Sequence, residues 1–183
     1  LMKHLENVLA GLESGKGHGN RMTVSTPKEK NLAWLSLLVF ADQAMLPTSI
    51  KTNQGHFDVE PIHEFDYRSR ADLIAAQEEA IKTGNPAGEA PPVEDQKKPT
   101  PMEIRAGAKS WADLERKSIY FSIRVYPSNV RVQAWGRAFD KAWSDENDTS
   151  LDVRIPTESG VQAIADAILQ HLKTRTDLPE LKS

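Results

Sequence analysis

The chain of 183 residues contains no cysteine. This absence excludes disulfide bonds, thiolate nucleophiles, iron–sulfur clusters and cysteine-type zinc sites. Long apolar runs are also missing, because the most apolar stretch, residues 32–41, is interrupted by Ser36 and stopped by Asp42. A membrane span needs about 18 apolar residues, and residues 1–7 lack the apolar core of a signal peptide. We therefore expect a soluble, cytoplasmic protein with no membrane partner.

A strong charge of either sign is likewise missing, since the formal net charge is -3. The molecule as a whole does not attract polyanions, so a nucleic-acid-binding role would need a local basic patch. The hydrophobic fraction of 39% and the charged fraction of 27% are ordinary for a globular protein. The length fits one domain, or one domain with a small extension.

The first part of the chain, residues 1–84, is predicted to be mainly helical. Residues 1–12 have the spacing of a short amphipathic helix. Residues 26–29 (TPKE) form a capping box, and the helix that they open is predicted to run to about Met45. Its apolar residues lie on nearly all sides, which is typical of a buried central helix. One strand is expected near residues 57–59, and a helix over residues 69–83.

Residues 85–99 are rich in proline and charge, and they predict an extended linker or a long mobile loop. The third part, residues 100–183, has the order α-β-β-β-α. A second capping box at residues 100–103 opens a helix to about Arg116, and Thr157 is expected to cap the last helix. The predicted fold class is α+β, with a small antiparallel sheet in this third part, and the parts may pack as a single domain.

Residues 119–126 and 130–136 alternate between aliphatic side chains and arginine or aromatic side chains. Successive strand residues point to opposite faces, so one face of the sheet is aliphatic and the other carries the arginines and rings. We call the second set the arginine–aromatic face. Its members are Tyr120, Arg124, Tyr126, Arg131, Trp135 and Arg137, with Arg154 from the third strand.

Tryptophan, tyrosine and arginine are the residues most enriched in protein-binding hot spots. The first functional hypothesis is therefore a non-enzymatic protein-binding module of the inhibitor, immunity or adaptor type. The same face would also suit a single-stranded nucleic acid, because rings stack on bases and arginine pairs with phosphate. A third interpretation stays open, in which the N-terminal part covers this face and the rings are core.

His56, Asp58, Glu60 and His63 are the candidates for metal chemistry. If residues 56–60 are extended, the first three side chains project to one side, where they could hold Zn²⁺ or Mn²⁺ and activate a water for hydrolysis. Their spacing matches no established metal signature, and the polar face of an edge strand explains the same pattern. A metal-dependent hydrolase is thus a second alternative, and we predict no metal or other cofactor.

Overall fold

The computed structural model describes residues 30–175. Its strands are β1 (Ala33–Val39), β2 (Ala44–Thr52), β3 (Gly55–Phe65), β4 (Ile119–Val125), β5 (Asn129–Trp135) and β6 (Thr149–Pro156). Its α-helices are α1 (Arg70–Thr83), α2 (Pro101–Arg105), α3 (Trp111–Lys117) and α4 (Gly160–Thr174). The six strands form one antiparallel sheet in the order β3-β2-β1-β4-β5-β6. In this part of the chain, no helix is long and apolar enough to cross a membrane.

The predicted helix from the capping box at residues 26–29 to Met45 is wrong, because residues 33–39 and 44–52 are strands. β1 lies inside the sheet and pairs with β4 from Ala33–Val125 to Val39–Ile119. It is buried on both faces, so it needs apolar residues on both sides. A short apolar run of this kind does not distinguish a buried strand from a buried helix.

The predicted fold class therefore needs correction. A mainly helical N-terminal part beside a small C-terminal sheet is replaced by a six-stranded sheet with helices, which is a mixed α+β fold. The helix predicted for residues 1–12 and the capping box at residues 26–29 lie outside the described residues. The boundaries at 84 and 99 stay a prediction, although the pairing of β1 with β4 joins strands from both sides of residues 85–99 in one sheet.

Several local predictions are confirmed. The helix expected over residues 69–83 is α1, with the Ser69 side chain accepting from the Asp72 amide and Gly84 following the last turn at φ 65°. The capping box of Thr100 and Glu103 is present at α2. The helix expected to reach Arg116 is instead two short helices, α2 and α3. The prediction that Thr157 caps the last helix is wrong, because Thr157 begins a 3-10 turn and the helix starts at Gly160 after Ser159.

The two faces of the sheet are covered differently. One face packs against α1 and α4, and its core includes Leu37, Phe121, Val132, Leu73 and Ile168. The opposite face packs against α2 and α3 through a smaller cluster. Its members are Leu38, Phe40, Met45, Ile62, Met102, Leu114, Tyr120 and Trp143. We call this opposite face the open face, because short helices cover only part of it.

The pairing of β1 with β2 is short, since it covers only Leu38–Met45 and Val39–Ala44. Toward the other end of β1, the Asn85 side chain bridges the two strands. Its Oδ1 accepts from the Trp34 amide (2.6 Å), and its Nδ2 donates to the carbonyls of Trp34 (2.8 Å) and Ser49 (2.9 Å). Asparagine suits this place because its side chain offers both an acceptor and donors.

The start of the predicted linker continues this bridge. The Lys51 amide donates to the Pro86 carbonyl (2.8 Å), and the Gly88 amide donates to the Lys51 carbonyl (3.0 Å). Residues 85–88 are thus hydrogen-bonded to the sheet, and this part of the predicted linker does not run freely through solvent. Gly88 lies so close to β2 that a Cβ there would come within 2.9 Å of Ile50 Cδ1.

Asn85→Ala is expected to lower the free energy of unfolding by about 2–4 kcal/mol. The reason is that three partly buried backbone groups lose their partner, and an unsatisfied buried group costs about 1–3 kcal/mol. Asn85→Asp should also destabilise, because it keeps the acceptor but cannot donate to either carbonyl. Urea unfolding measures both variants, with exposed Asn147→Ala as the control. A loss below about 0.5 kcal/mol, the range of ordinary surface changes, would contradict this role.

Candidate functional site

A cavity of about 310 Å³ opens on the open face of the sheet. All four tryptophans of the chain line it, although they are spread over more than a hundred positions. We call this cavity the tryptophan pocket and define it by Trp34, Trp111, Trp135, Trp143, Tyr120 and Asp58. It lies between the strands and α3, which contributes Trp111 and Glu115.

Separate elements supply the rings of the pocket. Trp34 comes from β1, Tyr120 from β4 and Trp135 from β5, while Trp111 begins α3. Trp143 lies in the loop after β5, where its indole N–H donates to the Ser118 carbonyl (2.9 Å). Tyr120 and Trp143 are only 7% and 8% exposed and form the floor, whereas Trp111, at 43%, stands at the rim.

The Tyr120 ring is the centre of this cluster. Its centroid lies 4.6 Å from that of Trp135 and 4.8 Å from that of Trp143. The Trp111 and Trp143 rings meet edge to face at 5.8 Å. Aromatic pairs at these spacings stabilise each other beyond simple burial, so the rings hold one another in place around the cavity.

Hydroxyl groups connect Asp58 on β3 to Tyr120 on β4. The Ser49 hydroxyl donates to the Asp58 carboxylate, and Ser36 Oγ lies 3.2 Å from Tyr120 Oη. Burial raises the pKa of Asp58 because it disfavours the charged form, while hydrogen bonds from Ser49 and Ser36 act in the opposite direction. Burial likewise raises the pKa of Tyr120 to about 12. Asp58 is therefore an oriented carboxyl group with little access to water.

Two further titratable groups line the pocket. Burial raises the pKa of Glu115, and a hydrogen bond from Trp111 partly opposes this effect. Burial and the nearby positive charge of Lys51 lower the pKa of His56, so its imidazole is neutral at pH 7. His56 also packs edge-on against Trp34, with 4.8 Å between ring centroids. The wall of the pocket thus carries two carboxyl groups and a neutral imidazole.

The arginine–aromatic face predicted from alternation lies on the open face of the sheet. Strand register places Arg124, Arg131 and Arg154 opposite one another in a row across β4, β5 and β6. Trp34 of β1 continues this row because it pairs with Arg124. Tyr120 and Trp135 lie on the same side and belong to the pocket. The binding role of these residues stays a prediction.

The arginines of this row are already engaged. The pairs are Arg124–Glu146 (2.7 Å), Arg131–Asp152 (2.9 Å) and Arg154–Asn129 (3.1 Å). Arg137, beyond β5, donates to the backbone carbonyls of Glu115 and Ser118, so it holds the following loop in place. Tyr126 is half-buried just after β4. The row is therefore polar and largely charge-compensated beside the aromatic pocket.

The four metal candidates do not converge. His56 and Asp58 line the pocket, but Glu60 pairs with Arg105 (3.0 Å), and His63 lines a separate small depression together with Ala80 of α1. Among residues 30–175, no group of three or more His, Asp or Glu side chains is placed to hold a metal ion. The Ser49 hydroxyl donates to Asp58, whereas a Ser–His–Asp triad requires it to donate to the imidazole.

Sequence reasoning missed most of the pocket. Trp34 falls within the helix predicted to run to Met45, and neither Trp111 nor Trp143 belongs to the predicted arginine–aromatic face. No spacing in the chain predicts that these three meet, because each comes from a different element. One weak signal existed at Trp34 and Ser36, which alternate with leucines as they would on a strand whose second face is partly polar.

Comparisons with known proteins show which solved structures are similar to this fold. No protein-family model matches the chain, and no curated protein matches it. Among solved structures, it is similar to the protein of unknown function NMB0488 from Neisseria meningitidis, with a TM-score of 0.54 and 13% identity over 81% of this chain and 98% of that one. It is also similar to a chain of the CdiA-CT/CdiI toxin and immunity complex from Yersinia pseudotuberculosis. That TM-score is 0.52, with 14% identity over 77% of this chain and 95% of the other. At these identities, the likeness is one of fold.

Asp58→Asn is expected to leave the protein at least as stable as the wild type at pH 7. The amide removes a charge that burial disfavours, yet it keeps an oxygen that accepts from Ser49. Because its pKa is raised, folded Asp58 holds its proton more tightly than unfolded Asp58 does. The wild type should therefore lose stability relative to the variant as the pH rises from the usual aspartate pKa through the folded one.

Denaturant unfolding at a series of pH values measures this difference. The exposed residue Asp42, changed to Asn, is the matched control for the loss of a carboxylate. A variant that is less stable than the wild type by the same amount at every pH would show that the carboxylate contributes only hydrogen bonds.

Proposed function

We propose that this chain is a non-enzymatic protein-binding module of the immunity type, which binds a toxic protein and blocks its action. The observation that carries this proposal is the tryptophan pocket, with its partly exposed rim, beside the row of arginines. Tryptophan, tyrosine and arginine concentrate at the centres of protein interfaces, where they fill pockets and exclude water. Trp111 at the rim is a large apolar side chain that a partner would cover.

Two further observations support this proposal. The fold is similar to that of a chain from a toxin and immunity complex. The polar groups in the pocket also bind each other, since Ser49 donates to Asp58 and Ser36 contacts Tyr120. Such an arrangement orients the groups for recognition.

The test begins with the protein encoded beside this chain, as the candidate toxin. Expression of that protein alone should stop growth of the host, and co-expression of this chain should restore growth. The two purified proteins should form a stable complex in size-exclusion chromatography and calorimetry. If this chain neither binds the neighbouring protein nor protects against it, the immunity proposal is wrong. Salt-sensitive binding of mixed oligonucleotides would then favour the nucleic-acid alternative.

Trp111→Ala should weaken the complex by about tenfold or more, because truncating a hot-spot residue costs at least about 1–2 kcal/mol. Phe139→Ala is the matched control, since Phe139 is also an exposed aromatic but does not line the pocket. Equal affinities of the two variants would place the interface elsewhere.

Arg131→Ala and Trp135→Ala test the predicted arginine–aromatic face in the same assay. Both should weaken the complex in calorimetry without unfolding the protein. The Arg131 variant loses an ion pair with Asp152 whose side chains are both partly exposed, and such pairs contribute only about 0–1 kcal/mol to stability. Thermal melting monitors the fold, and aggregation of both variants would identify these residues as structural core.

A further inference from the structure

We infer that the tryptophan pocket receives an arginine side chain of the partner protein, with Asp58 as the counter-charge and the surrounding rings as the stacking surface. That this arginine belongs to a partner protein rests on the proposed function. The preference of the pocket for a guanidinium rests on its own residues.

The charges of the pocket favour a cation. Asp58 and Glu115 both line it. His56 lines it too, and its imidazole is neutral at pH 7 because burial lowers its pKa. A carboxylate in a partly desolvated site interacts with a cation more strongly than it would in water. Lys51 acts on His56 but is exposed to solvent, and the positive charges of Arg116 and Arg137 act on Glu115. An incoming guanidinium would therefore meet its counter-charge chiefly at Asp58.

The rings of the pocket suit the same group. A guanidinium is attracted to an aromatic face when it lies within about 6 Å of the ring centroid, and tryptophan is the best partner. The molecule already contains one such contact, because Arg124 Cζ lies 5.3 Å from the Trp34 centroid. Glu146 compensates that arginine at 2.7 Å, so it need not repel a second guanidinium on the pocket side.

The size of the pocket selects a side chain over a larger ligand. Its volume of about 310 Å³ is at the lower limit of the roughly 300–1,000 Å³ typical of small-molecule sites. A neutral aromatic side chain would fill the space but leave the Asp58 carboxylate without a counter-charge, and a buried unpaired charge is strongly unfavourable. A planar guanidinium satisfies both the carboxylate and the rings, and it can form two parallel hydrogen bonds with a carboxylate.

The first experiment titrates the whole chain with N-acetyl-arginine amide and follows tryptophan fluorescence, since all four tryptophans surround the pocket. N-acetyl-citrulline amide is the neutral control of the same shape. The arginine compound should bind saturably and about tenfold more tightly than the citrulline compound. Asp58→Asn should abolish this preference, and Asp42→Asn should retain it. Equal binding of the two compounds, or no saturable change with the arginine compound, would overturn the inference.

A second experiment separates this inference from the proposed function. N-acetyl-arginine amide should compete with the partner for the wild-type chain. Asp58→Asn should weaken binding of the partner by about tenfold. A partner that binds the wild type and Asp58→Asn equally, with no competition, would refute the arginine site and leave the immunity role standing. If the chain binds the arginine compound selectively but does not bind the neighbouring protein, the immunity role is refuted. The preference of the pocket for a guanidinium then stands.

Discussion

The separation of β1 from β2 determines the shape of the open face. β1 pairs with β4 along its length, but it pairs with β2 only at Leu38–Met45 and Val39–Ala44. Asn85 supplies the hydrogen bonds that the shortened ladder lacks, and residues 86–88 then run beside β2. Because polar backbone groups inside a protein need partners, this bridge permits the two strands to separate. Ser36 and Ser49 flank the separation and line the tryptophan pocket.

The two faces of the sheet differ in how much they contribute to stability. The face under α1 and α4 is aliphatic and closely packed, so it supplies most of the apolar burial. The open face carries a desolvated carboxyl group, Asp58, and the buried hydroxyl of Tyr120, which burial makes unfavourable to ionise. Burial of the Asp58 charge reduces the stability that the open face can contribute, whereas neutral Tyr120 carries no such penalty. The proposed partner would supply the counter-charge for Asp58.

Local patterns predicted those elements whose signals lie close together in the chain. The alternation in residues 119–126 predicted β4 and its two unlike faces. Ser69 and Gly84 predicted both ends of α1, and Thr100 with Glu103 predicted the start of α2. The apolar run of residues 32–40 led to a wrong prediction, because a strand buried on both faces alternates only weakly between apolar and polar residues. The capping box at residues 26–29 and the all-round apolar pattern then favoured a helix, but residues 33–39 pair with β4 as a strand.

The sequence by itself determined the absence of cysteine chemistry, the caps of α1 and the start of α2, and a sheet face that combines arginine with aromatic rings. Only the tertiary structure decided that Trp34, Trp111 and Trp143 join that face around Asp58. The physical reason is the range of the interactions involved. Caps and alternation depend on neighbours within a few residues. The pocket depends instead on strands and a helix that are far apart in the chain, and no local sequence pattern predicts which of their surfaces will pack together.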